Sequence, residues 1–203
     1  MHTASKRTLM AALVIGFALM AGGCLDANTA LSDPEKAKAD EAILGVWQST
    51  DNPNQYLFIA KSGVSNAPVG IMHIVEAGYA KSDRTISAHQ SYDFSITPVA
   101  GTNIVNLFIG SPRPGDLSYA DWVKDDGKAC RIVRYDVSGN KLSLWVEANS
   151  DAEDKAVKAG KIRHVKPDSS MEDAGSVLDY LKNGGMAAMF PDKDAITYTR
   201  ATK

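Results

Sequence analysis

Nucleophilic or metal chemistry in this 203-residue chain would have to come from two cysteines and four histidines. Cys24 lies in ALMAGGCLDA, where an apolar run gives way to a polar one, and Cys130 lies in ACRIVRY. Beyond the first residues the histidines are His73, His89 and His164, and no two have the H-x-H or H-x-x-x-H spacing that brings ligands onto one metal ion. Asp121, Asp125 and Asp126 form an acidic cluster, but without the order of an EF-hand loop they read as a solvated turn. Neither a G-x-S-x-G elbow nor a phosphate-binding G-x-x-x-x-G-K loop is present. Cys130 reads as a small core residue on a strand. A nucleophilic role would need a remote His and Asp as partners, a trio that can be written for most proteins. These residues therefore predict no catalytic group, no metal and no cofactor.

The elements that must position these groups are mostly strands. ILGVWQST, QYLFIAK, VGIMHIVE, SYDFSITPV, NIVNLFIG, ACRIVRYDV and KLSLWVEA are short and rich in Val, Ile, Tyr, Phe and Trp. DNPN, KSG, AGTN, KDDGK and VSGN separate them, which is the pattern of strands joined by turns. In the hairpin ACRIVRYDVSGNKLSLWVEA, Leu142, Leu144 and Val146 alternate with Ser143, Trp145 and Glu147, so one face packs and the other is wetter or meets something. With AITYTR at the end there are eight strand candidates, and IRHVK is a shorter ninth. His73 falls mid-strand and His89 in a polar loop, SAHQSY. Residues 111–127, SPRPGDLSYADWVKDDG, break the strand pattern with prolines and glycines. Tyr119 and Trp122 in that loop either plug the body or form an aromatic lip over a binding site.

The C-terminal part reads as helical. Asp151 with Lys155 and Asp154 with Lys158 stand four apart. Ser169 with Glu172, or Ser170 with Asp173, forms a capping box ahead of a stripe of Met171, Ala174, Val177, Leu178 and Leu181. Gly184 and Gly185 end that helix. An antiparallel set of eight strands closes naturally into a small barrel, which removes exposed edges. The predicted class is mainly β, an antiparallel barrel of about eight strands with C-terminal helices packed on it.

The first thirty residues carry the address. Lys6 and Arg7 precede LMAALVIGFALM, which has no charge, and Ala21, Gly22, Gly23 and Cys24 follow. A basic start, a short apolar run and small residues describe a secretory signal peptide. Twelve helical residues span about 18 Å, well short of a bilayer core of roughly 30 Å. AGGC resembles the lipobox of bacterial lipoproteins, with Ala21 where Leu is usual. That resemblance makes Cys24 the lipidated first residue of the mature chain, lodged in a membrane by its acyl chains. It implies a cell-envelope protein facing the periplasm. With Leu25 directly after the cysteine, the family's sorting rule favours the outer membrane. An ordinary signal peptide cleaved near Ala27 or Ala30 is the alternative. The expected organisation is a signal peptide over 1–23, a lipidated cysteine and flexible polar tether over 24–42, and a single barrel domain over 43–203. The mature chain then has 20 basic and 24 acidic residues, a net charge of −4, which does not suit nucleic acid. With Cys24 committed to lipid, no intrachain disulfide is expected.

Gly45-Val46-Trp47 on the first barrel strand resembles the Gly-x-Trp of lipocalins, and Arg200 stands on the last strand in matching order. The resemblance implies a Trp that plugs one barrel end with an Arg stacked over it, a contact of about 0.5 to 2 kcal/mol. The layout is also similar to uncharacterised bacterial envelope lipoproteins, in which a β domain is followed by a capped helix, a Phe and a final Arg strand. The expected function is non-catalytic: binding of a small apolar ligand or envelope component in the barrel, with Tyr119 and Trp122 as lip residues. The alternative is an accessory protein with a solid barrel that docks on an envelope machine or inhibits an enzyme.

Overall fold

The computed structural model describes residues 24–80, 85–109 and 129–201. Its strands are β1 (Asp26–Ala27), β2 (Gly45–Ser49), β3 (Gln55–Lys61), β4 (Met72–Ala80), β5 (Thr85–Val99), β6 (Thr102–Phe108), β7 (Cys130–Ser138), β8 (Lys141–Trp145) and β9 (Ile196–Arg200). Three short helices follow β8: α1 (Ser150–Lys158), α2 (Ala174–Tyr180) and α3 (Met186–Met189). From β2 to β9 each strand pairs antiparallel with the next, and β9 returns to β2. Eight strands thus close into an up-and-down barrel, the mainly β architecture that the strand count predicts. β1 lies outside this ring and pairs with the start of β7, beyond the end of β8.

Tight turns set the register. Ser138 pairs with Lys141, leaving Gly139 and Asn140 as a two-residue turn with Gly139 at φ 61°, the type II′ pattern. Val99 pairs with Thr102 across Ala100 (φ 50°) and Gly101 (φ 80°), so both central residues are left-handed and one of them carries a Cβ. Alternation along the strands makes two cores. Trp47, Leu57, Phe94, Val105, Val133 and Leu144 fill the lumen. Ile104, Phe108, Cys130, Ile132 and Trp145 point outward and are covered by Val177, Leu181, Met189 and Phe190 of the helical segment. Arg134 fastens this layer: its guanidinium lies 3.9 Å from the centroid of the Trp145 ring, donates to Phe190 O at 3.0 Å and meets Asp192 at 3.1 Å. Trp145 Nε1 donates to Pro191 O at 2.9 Å. The wetter face expected of β8 is therefore partly a second packed face.

Residues 25–41 are not the flexible tether that their composition predicts. Leu25, Ala27 and Leu31 are buried in the outer core. Ile132 N donates to Leu25 O at 2.9 Å, and Leu31 N donates to Asn106 Oδ1 at 2.8 Å. Ala27 also bridges Glu172, whose N–H donates to Asp26 O at 2.9 Å. Farther along, Asp40 accepts from the Tyr135 hydroxyl at 2.8 Å. The segment therefore runs down the outside of the barrel, from the end where β7 starts to the end where β2 starts. Leu25, Asp26, Asn28, Leu31, Ser32 and Asp40 are each bonded to partners remote in sequence. Asp33 and Pro34 do open a 3₁₀ turn (Pro34–Lys36), with Asp33 accepting from Glu35 N at 3.0 Å.

Other local expectations also shift. IRHVK makes only an isolated bridge, His164 to Glu172. Glu172 is held extended by that bridge and by Asp26, so α2 is capped by Asp173, whose side chain accepts from Ser176 N at 3.0 Å, and not by Ser169 or Ser170. Met171 consequently falls outside α2 and is exposed, while Ala174, Val177 and Leu181 stay buried. Asn183 and Gly184 leave helical geometry, Gly184 at φ 92°, so the glycines do end that helical run, and α3 starts anew directly after them. SAHQSY belongs to β5, with a bulge where Glu76 pairs with Gln90 and Ala77 with Ala88.

Candidate functional site

The barrel has one end sealed by its own residues. β2 and β9 pair Trp47 with Arg200. Trp47 is fully buried, its Nε1 donates to Ile43 O at 2.8 Å, and the Arg200 guanidinium sits 4.2 Å from its ring centroid. Arg200 Nη1 and Nη2 donate to Leu44 O and Ala42 O, each at 2.7 Å. Gly45 is needed for this: its φ is 128°, and a Cβ there would stand 2.7 Å from Arg200 Nη1. Gly45, Trp47 and Arg200 are thus brought into one cluster that staples the chain entering β2 to the chain leaving β9.

Above this plug the lumen holds a cavity walled by Leu57, Ile59, Ile74, Phe94, Val105 and Leu107, with Glu76, Gln90 and Tyr92 towards the other end. The walls are almost wholly apolar. Its free volume, counted for the centre of a water molecule, is about 40 Å³, within about 540 Å³ of atom-free space that includes the opening. One water needs roughly 10 to 15 Å³ on the same measure, so the closed space holds about three. The polar groups satisfy one another. Gln55 Nε2 donates to the buried Glu76 carboxylate, and the Tyr92 hydroxyl donates to Gln90 Oε1 at 3.0 Å. Burial pushes the Tyr92 phenol up from its ordinary value, which the nearby Arg131 partly offsets.

Arg131 stands on the lumen side of β7, two residues before Val133, at the end opposite Trp47. Its Nε and Nη2 donate to the two Asp26 carboxylate oxygens at 2.9 and 3.1 Å. β1 puts Asp26 beside Arg131 and Ala27 in the outer core, where Leu25 is also buried. Burial pushes the Cys24 thiol up from its ordinary value, which the nearby Arg131 partly offsets, and Asp26 and Glu147, the latter two residues beyond β8, add to the rise. Cys24 thus lies near Arg131, at the barrel end opposite Trp47.

No family model, curated protein or solved structure matches this chain.

The remaining residues singled out in the sequence do not join the cavity. Cys130 faces the outer core, fully buried, and burial pushes its thiol up, which disfavours the thiolate form. Cys24 and Cys130 form no disulfide, being on opposite faces of the wall. His73 points outward from β4 and its Nδ1 lies 2.9 Å from Asp93 Oδ1. His164 Nδ1 lies 3.1 Å from the buried Glu172 Oε1, whose other oxygen has no hydrogen-bond partner among the described residues. Burial pushes Glu172 up as well, and the charge of Glu172 adds to burial in raising the Glu153 carboxyl to about 7. Among the described residues no cluster of His, Cys, Asp and Glu could hold a metal ion. Tyr119, Trp122 and the acidic cluster Asp121, Asp125 and Asp126 lie outside the described residues, as do residues 1–23. Glu76, Gln90 and Tyr92 carry the polar end of the cavity, with Arg131 near Tyr92, and sequence reading did not single them out. Arg131 follows Cys130 in an alternating strand, and only the pairing of β7 with a segment about a hundred residues earlier shows its role.

Proposed function

We propose that this protein is a lipid-anchored, non-catalytic cell-envelope lipoprotein with a lipocalin-like barrel that holds a small apolar ligand. The observation that carries this reading is the lumen itself: apolar walls, one end sealed by Trp47 and Arg200, and Glu76, Gln90 and Tyr92 towards the other. A few convergent polar groups on an otherwise apolar concavity suit recognition of an apolar molecule with a small polar head. The anchor rests on AGGC, with Cys24 acylated, and faces the protein towards the periplasm with the outer membrane favoured. Tyr119 and Trp122 remain the proposed lip residues.

A second reading has its own support. The closed volume of about 40 Å³ is far below a typical ligand pocket of roughly 300 Å³ or more. A barrel filled by its own side chains would act through its surface, docking on an envelope component or inhibiting an enzyme. Native mass spectrometry of the protein purified from its host membrane separates the two. The ligand reading expects a co-purified apolar molecule of defined mass; a bare protein in every preparation defeats it. For the anchor, Cys24→Ser should lose acyl mass and membrane fractionation, and an unchanged mass would refute it.

A further inference from the structure

We infer that Glu172, His164 and Glu153 form a pH-sensitive latch between the N-terminal segment and the helical layer, closed in mild acid and loosened in mild alkali. The latch does not depend on acylation of Cys24. It joins the part of the chain that carries Cys24 to the layer covering the barrel, so its state sets how firmly that part is held.

Three extended pieces of chain meet at Glu172. Its N–H donates to Asp26 O at 2.9 Å, and its carbonyl accepts from Asn28 N at 3.0 Å. On the other side it bridges His164, and the bonds from Val165 N to Met171 O and from Asp173 N to Arg163 O flank that bridge. Asn28 Oδ1 also accepts at 3.0 Å from the N–H of Ala174, the first residue of α2. Glu172 is therefore the rung that joins β1 to the chain entering α2. Its side chain is a costly one to place there. Glu172 is 2 % exposed, His164 Nδ1 lies 3.1 Å from its Oε1, and Oε2 has no hydrogen-bond partner among the described residues. A buried carboxylate is tolerated only while it is paired. The pairing imidazole is 36 % exposed, so its proton exchanges with solvent.

The other charges around Glu172 are mostly committed elsewhere. β1 presents Asp26, which is held by Arg131 of β7. α1 presents Asp154, which pairs with Lys158 at 3.5 Å, and Glu153, near enough to Glu172 and Asp26 to feel both. Asp173, beside Glu172, pairs with Arg163 at 3.0 Å. With those pairs set aside, the latch consists of two carboxyl groups, Glu172 and Glu153, and one cation, His164. Burial and the charge of Glu172 raise the Glu153 carboxyl to about 7, so in mild acid it is neutral and His164 alone balances Glu172. Burial raises Glu172 as well, and His164 opposes that rise. As pH climbs through about 7, Glu153 gains its charge. An imidazole loses its own over the same range. Two like charges then face each other without a counter-charge, and one of them is buried. Parting β1 from residues 171–173 lets water reach Glu172, so the bonds through its backbone are the ones that loosen.

Amide hydrogen exchange of the full-length protein tests the latch, read residue by residue by NMR at pH 5.5 and pH 8 and corrected for the intrinsic rate at each. The amides of Asn28 and Glu172 should lose about tenfold or more in protection at the higher pH, while those of β6 in the barrel keep theirs. Glu172→Gln has no charge to bury and should show no such loss. Glu153→Gln should cut the loss to about threefold or less. Glu153 is only partly buried and accepts an amide, so its variant decides even where Glu172→Gln leaves the rung open at both pH values. Equal protection at both pH values in the parent overturns the inference. So does a loss shared equally by β6, or a loss that Glu153→Gln leaves undiminished.

Discussion

Replacing Arg200 by Ala tests the plug that makes this barrel one-ended. The change removes a part-buried charged hydrogen bond to Leu44 O, a more exposed one to Ala42 O and the stacking on Trp47. The first is worth about 1.5 kcal/mol and the exposed one about 0.5 after hydration. A stack at 4.2 Å on a fully buried ring contributes about 1 kcal/mol. The expected loss is about 3 kcal/mol, a large fraction of the roughly 5 to 15 kcal/mol that holds a domain folded. For a domain of this size that corresponds to a fall in Tm of about 6 to 12 °C. Arg200→Lys should recover only part of it, because an ammonium keeps the charge but cannot bond two carbonyls while lying flat on the ring. Thermal unfolding followed by circular dichroism, on Cys24→Ser protein so that the membrane plays no part, reads the effect. A Tm within about 2 °C of the parent, or a Lys variant as stable as Arg, would refute the idea that this contact closes the barrel.

Other perturbations reach other parts of the fold. Leu25→Ala should cost about 2 to 5 kcal/mol in urea unfolding, because the side chain is fully buried in the outer core; a cost near zero would mean that the segment is a tether after all. The Glu153 carboxyl is raised from its ordinary 4.5 to about 7, so the folded state holds the proton more tightly than the unfolded chain. Its contribution is full below pH 4.5 and is lost as pH rises through about 7. The displacement would be worth roughly 3 kcal/mol if the group were fully shielded, and partial exposure leaves about 1. Glu153→Gln should therefore match the parent at pH 4 and exceed it by about 1 kcal/mol at pH 8, and a difference that does not grow with pH would refute the assignment. Ala100→Asn, at φ 50° in the turn between β5 and β6, should raise stability by about 0.5 to 1 kcal/mol, since Asn tolerates the left-handed region better than Ala. A destabilised Asn variant would show that Ala100 is not strained.

The barrel was legible because its strands alternate and its turns announce themselves: Val, Ile and aromatic runs recur, and Ser138-Gly139-Asn140 can only be a turn between them. Its lumen face was legible for β8, where Leu142 and Leu144 share a side. The outer layer was not, because Trp145 is polar-tipped and its cover, Pro191 and Arg134, comes from remote positions. The N-terminal segment misled for a related reason. LDANTALSDPEKAKADE has no aromatic residue, and its three buried aliphatics, Leu25, Ala27 and Leu31, are too sparse for a period. Its order comes from tertiary partners, Arg131, Asn106 and Glu172, none of which lies within reach in sequence. The same clamp on Glu172 moved the cap of α2 to Asp173. Of the candidate site, Gly45, Trp47 and Arg200 were visible through spacing and order, whereas Arg131 and Tyr92 acquire meaning only once β1 and β5 are placed beside β7 and β4.

The most direct test of a ligand-holding lumen is titration of the Cys24→Ser protein with a fluorescent alkyl probe, beside a variant whose lumen is filled by Val105→Phe. Overpacking costs about 1 to 3 kcal/mol, so circular dichroism should first confirm that the variant stays folded. The parent should bind one probe saturably, and the folded Val105→Phe protein should lose that binding. No saturable binding by the parent, or undiminished binding by the filled barrel, would contradict the account.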